Sequence, residues 1–386
     1  MNPGGAARRR SAPGLKAATL SMRGIAAGCL VGALVGCSSA APGNATQITT
    51  QIATVAAVPT PQSRALARYV SIDGDDHGPG TRQHPWRTLG YSLSKLYAGQ
   101  VLFVHGGVYR EVLSHVDLHH GLSSRPIAVT NVPGEVPVLK GVVALHRPAY
   151  WTINGLDVTW DPHLRKPPLF MVKITGGVGW SWNNSEFWGS RGAANVFVAG
   201  SGTSEPRDWS MTGNCVHGIG APPRSGTSTN VMLGGMVDPG RGTFSRNVIF
   251  NRADQENLTV GSGRGAPADI DISYNTIYGG RDAVTVRGGP RHVQITRNLL
   301  GGASSDVLIG FDLTRSPGTV VSQNYGLVAP RGRPGAERMM RPAAEALIGG
   351  PGNVVGDVHP HFAHAATCRG FRTRLPALSP YGWYGL

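Results

Sequence analysis

Phe244-Ser245-Arg246-Asn247 and Ile272-Ser273-Tyr274-Asn275 share a four-residue pattern: an apolar residue, a hydroxyl residue, a variable one and an asparagine. It returns as Ile295-Thr296-Arg297-Asn298 and Val321-Ser322-Gln323-Asn324, and looser copies end at Asn131, Asn154, Asn183 and Asn214. Successive asparagines are 23, 29, 31, 33, 28, 23 and 26 residues apart. Self-similarity at that period signals a stack of repeated units rather than one globular core.

Each unit holds short alternating runs such as Asp269-Ile270-Asp271-Ile272-Ser273 and Ala283-Val284-Thr285-Val286-Arg287. Alternation with β-branched residues marks half-buried strands. Between the runs lie Gly279-Gly280, Gly288-Gly289 and Gly301-Gly302, suited to tight corners. Leucine-rich and ankyrin solenoids would need a recurring amphipathic helix, and none recurs. The expected fold is all-β, a single-stranded right-handed parallel β-helix. Stacked at about 4.8 Å, eight coils would reach roughly 40 Å. The asparagine would take a left-handed corner and bond its counterparts above and below in a ladder.

Ahead of the repeats, Leu89, Leu93, Leu96 and Tyr97 recur at helical spacing with Gly99 as a stop, which predicts one amphipathic helix over Thr88–Ala98. An open solenoid end exposes backbone and apolar interior, so this helix is expected to be the N-terminal cap.

Several segments then carry a family likeness. They are Tyr69-Val70-Ser71, Asp76-His77-Gly78-Pro79-Gly80-Thr81, His84-Pro85-Trp86-Arg87-Thr88-Leu89, Gly99 to Val104 and Gly106 to Glu111. Arg125 to Val129, Pro133-Gly134-Glu135, Pro137-Val138-Leu139 and the closing His359-Pro360-His361-Phe362 and Phe371-Arg372-Thr373 continue it. Over residues 69–386 the chain resembles right-handed parallel β-helix proteins of bacterial polysaccharide metabolism. That resemblance implies the fold; its members include lyases, hydrolases, epimerases and non-enzymes.

Residues 1–36 hold Arg8, Arg9, Arg10, Lys16 and Arg23 and no acid, with an apolar run from Gly24 to Gly36 too short to span a bilayer. The run ends Leu34-Val35-Gly36-Cys37, which resembles a bacterial lipobox, so Cys37 is the expected lipidation site and a membrane the expected attachment. An ordinary secretion signal or an uncleaved anchor is the other reading, and Met22 is a second candidate start. Residues 37–68, rich in Ala, Thr, Ser, Pro and Gln, read as a flexible tether. Cys215 and Cys368 remain, either as a disulfide of an oxidising compartment or as two separate thiols.

Five of the 36 basic residues lie in the first 36 positions and none of the 22 acids do, so the remainder keeps a basic excess dominated by arginine. For an exported, monomeric domain without a nucleic-acid motif, the expected partner is an anionic polysaccharide, or the excess is a diffuse solvated surface. Six of eight tryptophans lie between Trp151 and Trp209. Trp182 and Trp188 are candidate sugar platforms, and core filling is the other reading.

Counted from the asparagines, Asp254 and Asp282 each come seven residues later and Asp306 eight. Each precedes a strand, so they are expected to stack. Neighbouring carboxylates raise a pKa or share a cation, whereas an aspartate at a repeated corner also simply accepts backbone hydrogen bonds. Arg264, Arg281, Arg287 and Arg291 lie close by in sequence. The segment Asp254–Gly289 resembles chondroitinase B-like and alginate lyases of the calcium-assisted class. That resemblance implies Asp254 and Glu256 as ligands of a Ca²⁺, the one candidate cofactor, and Arg287 as the arginine of the next coil. The family lysine is replaced by Gly261-Ser262-Gly263-Arg264. His217 is a further candidate base, while His119-His120 and His359/His361/His364 show no metal-ligand spacing. The Gly/Pro-rich stretch Gly220–Gly242 is expected to wall a cleft. Two functional readings stay open: an enzyme of lyase or glycosidase type using Asp254, Asp282, Arg264, Arg287 and His217, with Glu256, Arg281 and Arg291 contacting substrate, or a non-catalytic glycan-binding or scaffold lipoprotein.

Overall fold

A computed structural model describes residues 66–164, 168–220, 228–237, 240–251, 255–261, 267–304, 307–311, 316–327, 338–342, 349–356, 362, 368 and 376–382. Cys37, Asp254, Arg264, Asp306 and His359/His361/His364 lie outside the described residues. The described chain is a parallel β-helix of about eight turns, built from three parallel sheets of ten, ten and eight strands. Each complete turn contributes one strand to each sheet, and paired strands lie one turn apart.

The first sheet runs from Ala67–Val70 to Val320–Ser322 and carries the apolar lead-in of the repeat. Phe244 pairs with Ile272, Ile272 with Ile295 and Ile295 with Val321, and all four are fully buried. Side chains alternate across a strand, so this register gives every coil one inward apolar residue at the same height.

The asparagines form the expected ladder, with two changes of detail. Each Oδ1 accepts both the backbone N–H and the side-chain amide of the preceding rung. The rungs run Asn214–Asn247–Asn275–Asn298–Asn324–Asn353, with amide-to-amide distances of 3.0–3.2 Å. The second N–H of each amide reaches a first-sheet carbonyl, as from Asn275 to Phe244 at 2.9 Å. Asn353 is a rung that the four-residue pattern does not reach. Conversely, Asn154 and Asn183 pair with each other inside the first sheet, and Asn183 pairs with Thr212 rather than Asn214. Ser185 occupies the rung there, its N–H bonded to Asn214 Oδ1 at 3.1 Å. Asn131 likewise belongs to a first-sheet strand, paired with Val104. The left-handed residue is the one before the asparagine: Arg246, Tyr274, Arg297 and Gln323 have φ of 54°, 56°, 55° and 55°. The asparagine is therefore placed for its amide rather than for its backbone.

A second amide column, Asn195–Asn230–Asn257, opens the third sheet at 2.8 and 3.0 Å. Thr229–Leu233 is a third-sheet strand. The stretch Gly220–Gly242, expected to wall a cleft, thus contains a strand of the third sheet; its residues 221–227 and 238–239 lie outside the described residues. Trp151, Trp182 and Trp209 lie in the core, and Trp180 stacks on Trp209 at 5.5 Å. Core filling is what the tryptophan cluster does, Trp188 excepted.

The helix spans Leu89–Ser94, shorter than expected; Thr88 caps it, and Leu89, Leu93 and Leu96 join the main core. Near the other end, Phe362 and Cys368 pack on the second sheet beside Phe250 and Tyr278. Cys215 and Cys368 are bonded as a disulfide with Cα atoms 5.7 Å apart. Among the described residues, no helix is long and apolar enough to cross a membrane.

Candidate anion-binding cleft

The third sheet brings two arginines and two carboxylates together on neighbouring coils. Its strand Glu256–Val260 pairs with Val284–Val286 so that Leu258 faces Val284 and Thr259 faces Thr285. The same register sets Glu256, not an aspartate of the expected column, level with Asp282. On the next coil Val284 pairs with Ile309, which sets Val307 level with Asp282. Among the described residues, the acidic column is a single pair on neighbouring coils; Asp254 and Asp306 lie outside them.

Glu256 is only 2% exposed and carries no freedom to act as a ligand. Its Oε1 accepts hydrogen bonds from both Arg281 and Arg287, and its Oε2 accepts one from Thr259 Oγ1 at 2.7 Å. A carboxylate so deeply buried persists only with such pairing. Gly261 (φ 100°) makes this possible by turning the chain sharply after the strand, where a Cβ would lie 1.9 Å from the Arg287 carbonyl oxygen. Two guanidinium groups on one carboxylate also oppose a divalent cation at that oxygen. Glu256 as a calcium ligand does not fit the geometry.

Arg281 and Arg287 remain 43% and 41% exposed. With Arg341, Asp282, Thr285, Ser304, Val307, Gly310 and Phe311 they line an open cleft of about 600 Å³. Asp282 accepts from Thr285 Oγ1 at 3.3 Å and lies 4.0 Å from Arg281 Nε. A Cβ on Gly310 would come within 2.5 Å of its carboxylate, so glycine there leaves it room. Three guanidinium groups thus face two carboxylates. Each guanidinium has five N–H donors, so most of both forks stays available to a ligand. Among the described residues, the lining includes no lysine, histidine or tyrosine.

Farther along the same sheet, the Phe170 and Phe197 rings lie 4.3 Å apart, tilted by 31°, with Lys173 6.0 Å above Phe170. Beyond them His115, Asp117, His120, His146 and Arg147 help line a second groove of about 500 Å³.

Other expected site residues lie elsewhere. Arg291 sits at the corner leading back to the first sheet, paired with Ala268, and does not line the cleft. Trp182, 1% exposed, presents nothing to a ligand. His217 and Trp188 belong to the outer face of the second sheet. There His217 stacks on Phe250 at 4.6 Å and its Nε2 meets Glu186 Oε1 at 2.6 Å. Asp157 stands one coil before Glu186. Burial pushes its carboxyl up to about 6; the Glu186 N–H bonded to it pulls the other way, and the Glu186 charge adds to the rise.

Sequence reasoning missed Arg341, which lies outside the repeat and carries no pattern. It also missed the Phe170–Phe197 pair, because the register sets Phe170 level with Ala194 and Phe197 level with Lys173. The second amide column did leave a signal, since Asn195, Asn230 and Asn257 each precede a Val or Leu and a further apolar alternation.

No family model matches the chain. It is 36% identical over 73 residues to the uncharacterized protein YwoF of Bacillus subtilis (strain 168), a stretch that is 19% of this chain and 15% of that protein. Pectate lyase Pel9A superimposes with a TM-score of 0.48 at 12% identity, over 75% of this chain and 77% of its own. A structure described as a glycoside hydrolase gives 0.45 at 9%, over 75% and 96%. Native lacto-N-biosidase of Eubacterium ramulus gives 0.39 at 12%, over 77% and 69%. These neighbours include polysaccharide lyases and glycoside hydrolases, at a distance where activity does not transfer. The functional reading rests on the site's own groups.

Proposed function

We propose that this protein is an exported, lipid-anchored β-helix that binds an acidic polysaccharide on the outer face of its third sheet. The observation that carries the reading is the cleft in which Arg281, Arg287 and Arg341 outnumber Glu256 and Asp282. Glu256 holds two guanidinium groups in place without using up their donors, and such forks grip sugar carboxylates at two points. Phe170, half-buried beside the buried Phe197, offers apolar contact farther along the same face. Attachment follows from the lipobox-like Leu34-Val35-Gly36-Cys37 and the tether behind it.

Binding is the part of the reading that the arginines support, since they do not titrate near neutral pH. Among the described residues of the lining, Asp282 is the carboxylate that would serve as acid or base if the protein cleaves.

The test is titration of the protein with uronic-acid polymers and a neutral polymer of matched length, with and without Ca²⁺. Binding of the acidic polymers, weakened about tenfold or more in Arg287→Ala by loss of a charge-assisted pair, is expected. Equal binding of the neutral polymer, or unchanged binding in both Arg287→Ala and Arg341→Ala, would overturn the reading. New unsaturated-uronate absorbance, or reducing ends, lost in Asp282→Asn would replace it with an enzyme. Separately, Cys37→Ser should abolish lipid labelling; labelling that persists removes the anchor.

A further inference from the structure

Two cavities on the third sheet present cations, and one register column joins them. The first is the arginine cleft; the second is the groove of about 500 Å³ beside His146 and Arg147. From the strand of Thr285 to the strand of Ala144 the sheet takes five pairing steps, about 24 Å at 4.8 Å per coil. Between them the outward column runs Ala144–Lys173–Phe197–Met232–Thr259–Thr285 and holds no acid. Lys173 is half-buried over the Phe170 ring and has no ion pair among the described residues. At the far end His115, His120, His146 and Arg147 are exposed, against one groove carboxylate, Asp117. Arg147 takes a left-handed backbone (φ 50°) at the corner where the next coil has Gly176 (φ 64°). An arginine thus stands at a position that glycine fills with less strain.

We propose that the second groove is the far grip of a single linear polyanion lying along the third sheet. This rests on the acidic-polysaccharide reading of the arginine cleft and adds the ligand's length and direction. The chain runs along the solenoid axis and is at least about 24 Å long. Its acidic groups meet Arg281, Arg287 and Arg341 at one end and Lys173 in the passage. Arg147 and the histidine N–H donors receive the other end. Half-buried Phe170 and Met232 give apolar contact to the sugar rings between them. Once one end is held, binding of the other is intramolecular, so affinity rises with length although no single contact strengthens.

The test is calorimetric titration of the protein with uronic-acid oligomers of about three and about twelve sugars. The long oligomer should bind as one chain per protein. Its affinity should fall about tenfold or more in the double variant His146→Ala/Arg147→Gly, and several-fold in Lys173→Met. The short oligomer, held in the arginine cleft, should bind both variants as it binds the parent. Arg147→Gly suits the left-handed corner and both positions are exposed, so the fold should persist, which circular dichroism checks. Long-oligomer affinity unchanged in both variants would overturn the path, as would two long chains bound per protein or an equal loss for the short oligomer. Failure of the underlying reading looks different: Arg287→Ala would then leave the short oligomer's affinity unchanged, whatever the groove does.

Discussion

The asparagine ladder and the charged pair of the third sheet are made by the same device and end as opposites. In both, the solenoid register sets side chains on neighbouring coils at matching height, about 4.8 Å apart. In the ladder every amide is used up. Asn275 Oδ1 takes two N–H groups from Asn247, and its own amide gives to Asn298 Oδ1 and to the Phe244 carbonyl. In the charged region only Glu256 is closed off, while the arginines that close it stay half in solvent. A column satisfied within the protein stabilises the stack; one with donors left over is where a ligand can compete.

That contrast predicts the largest effect for the buried column. Asn275→Ala strands the donors and acceptors of two neighbouring coils and should cost about 3 kcal/mol in urea denaturation, with the glycan affinity of the folded fraction unchanged. A loss of affinity without a loss of stability would merge the two columns into one site. Glu256→Gln should cost less, about 2 kcal/mol, because the stranded arginines reach water. It should also tighten acidic-polymer binding several-fold, since two guanidinium groups lose their internal partner. Weaker binding instead would show that Glu256 positions the forks more than it neutralises them.

The end of the ladder should be softer than its middle. Asn353 is partly buried, so Asn353→Ala is expected to cost about 1 kcal/mol. The smallest effect concerns the second sheet. The Asp157 carboxyl is raised in the folded state, so folding favours its protonated form. That contribution is present at low pH and is lost as pH rises from the unfolded value toward about 6. Asp157→Asn should therefore be more stable than the parent at pH 7 by up to about 1 kcal/mol, with the gap closing toward pH 4. Denaturation midpoints at the two pH values check the sign.

The fold was legible because the repeat repeats. Four copies of one pattern mark one corner of four coils, and the lead-in residues Phe244, Ile272, Ile295 and Val321 mark the core. The reading slipped where a different residue fills the same role. Ser185 stands at the rung two residues after Asn183, and counting from Asn183 misplaces that coil. The same offset hides the acidic pair, because Glu256 and Asp282 lie at unequal distances from Asn247 and Asn275. Only strand pairing equates them. Trp182 and Trp188 show the limit from another side. They lie on consecutive strands of the first and second sheets, yet one falls in the core and the other on a face, and their sequence neighbourhoods do not differ enough to tell.

The most direct measurement is calorimetric titration of the protein with a polyuronate at low and high salt, beside Arg287→Ala and Arg341→Ala. The arginine cleft predicts binding that weakens with salt and weakens further in each variant, with a smaller salt dependence once a guanidinium is gone. Binding that keeps its strength and its salt dependence in both variants would contradict it.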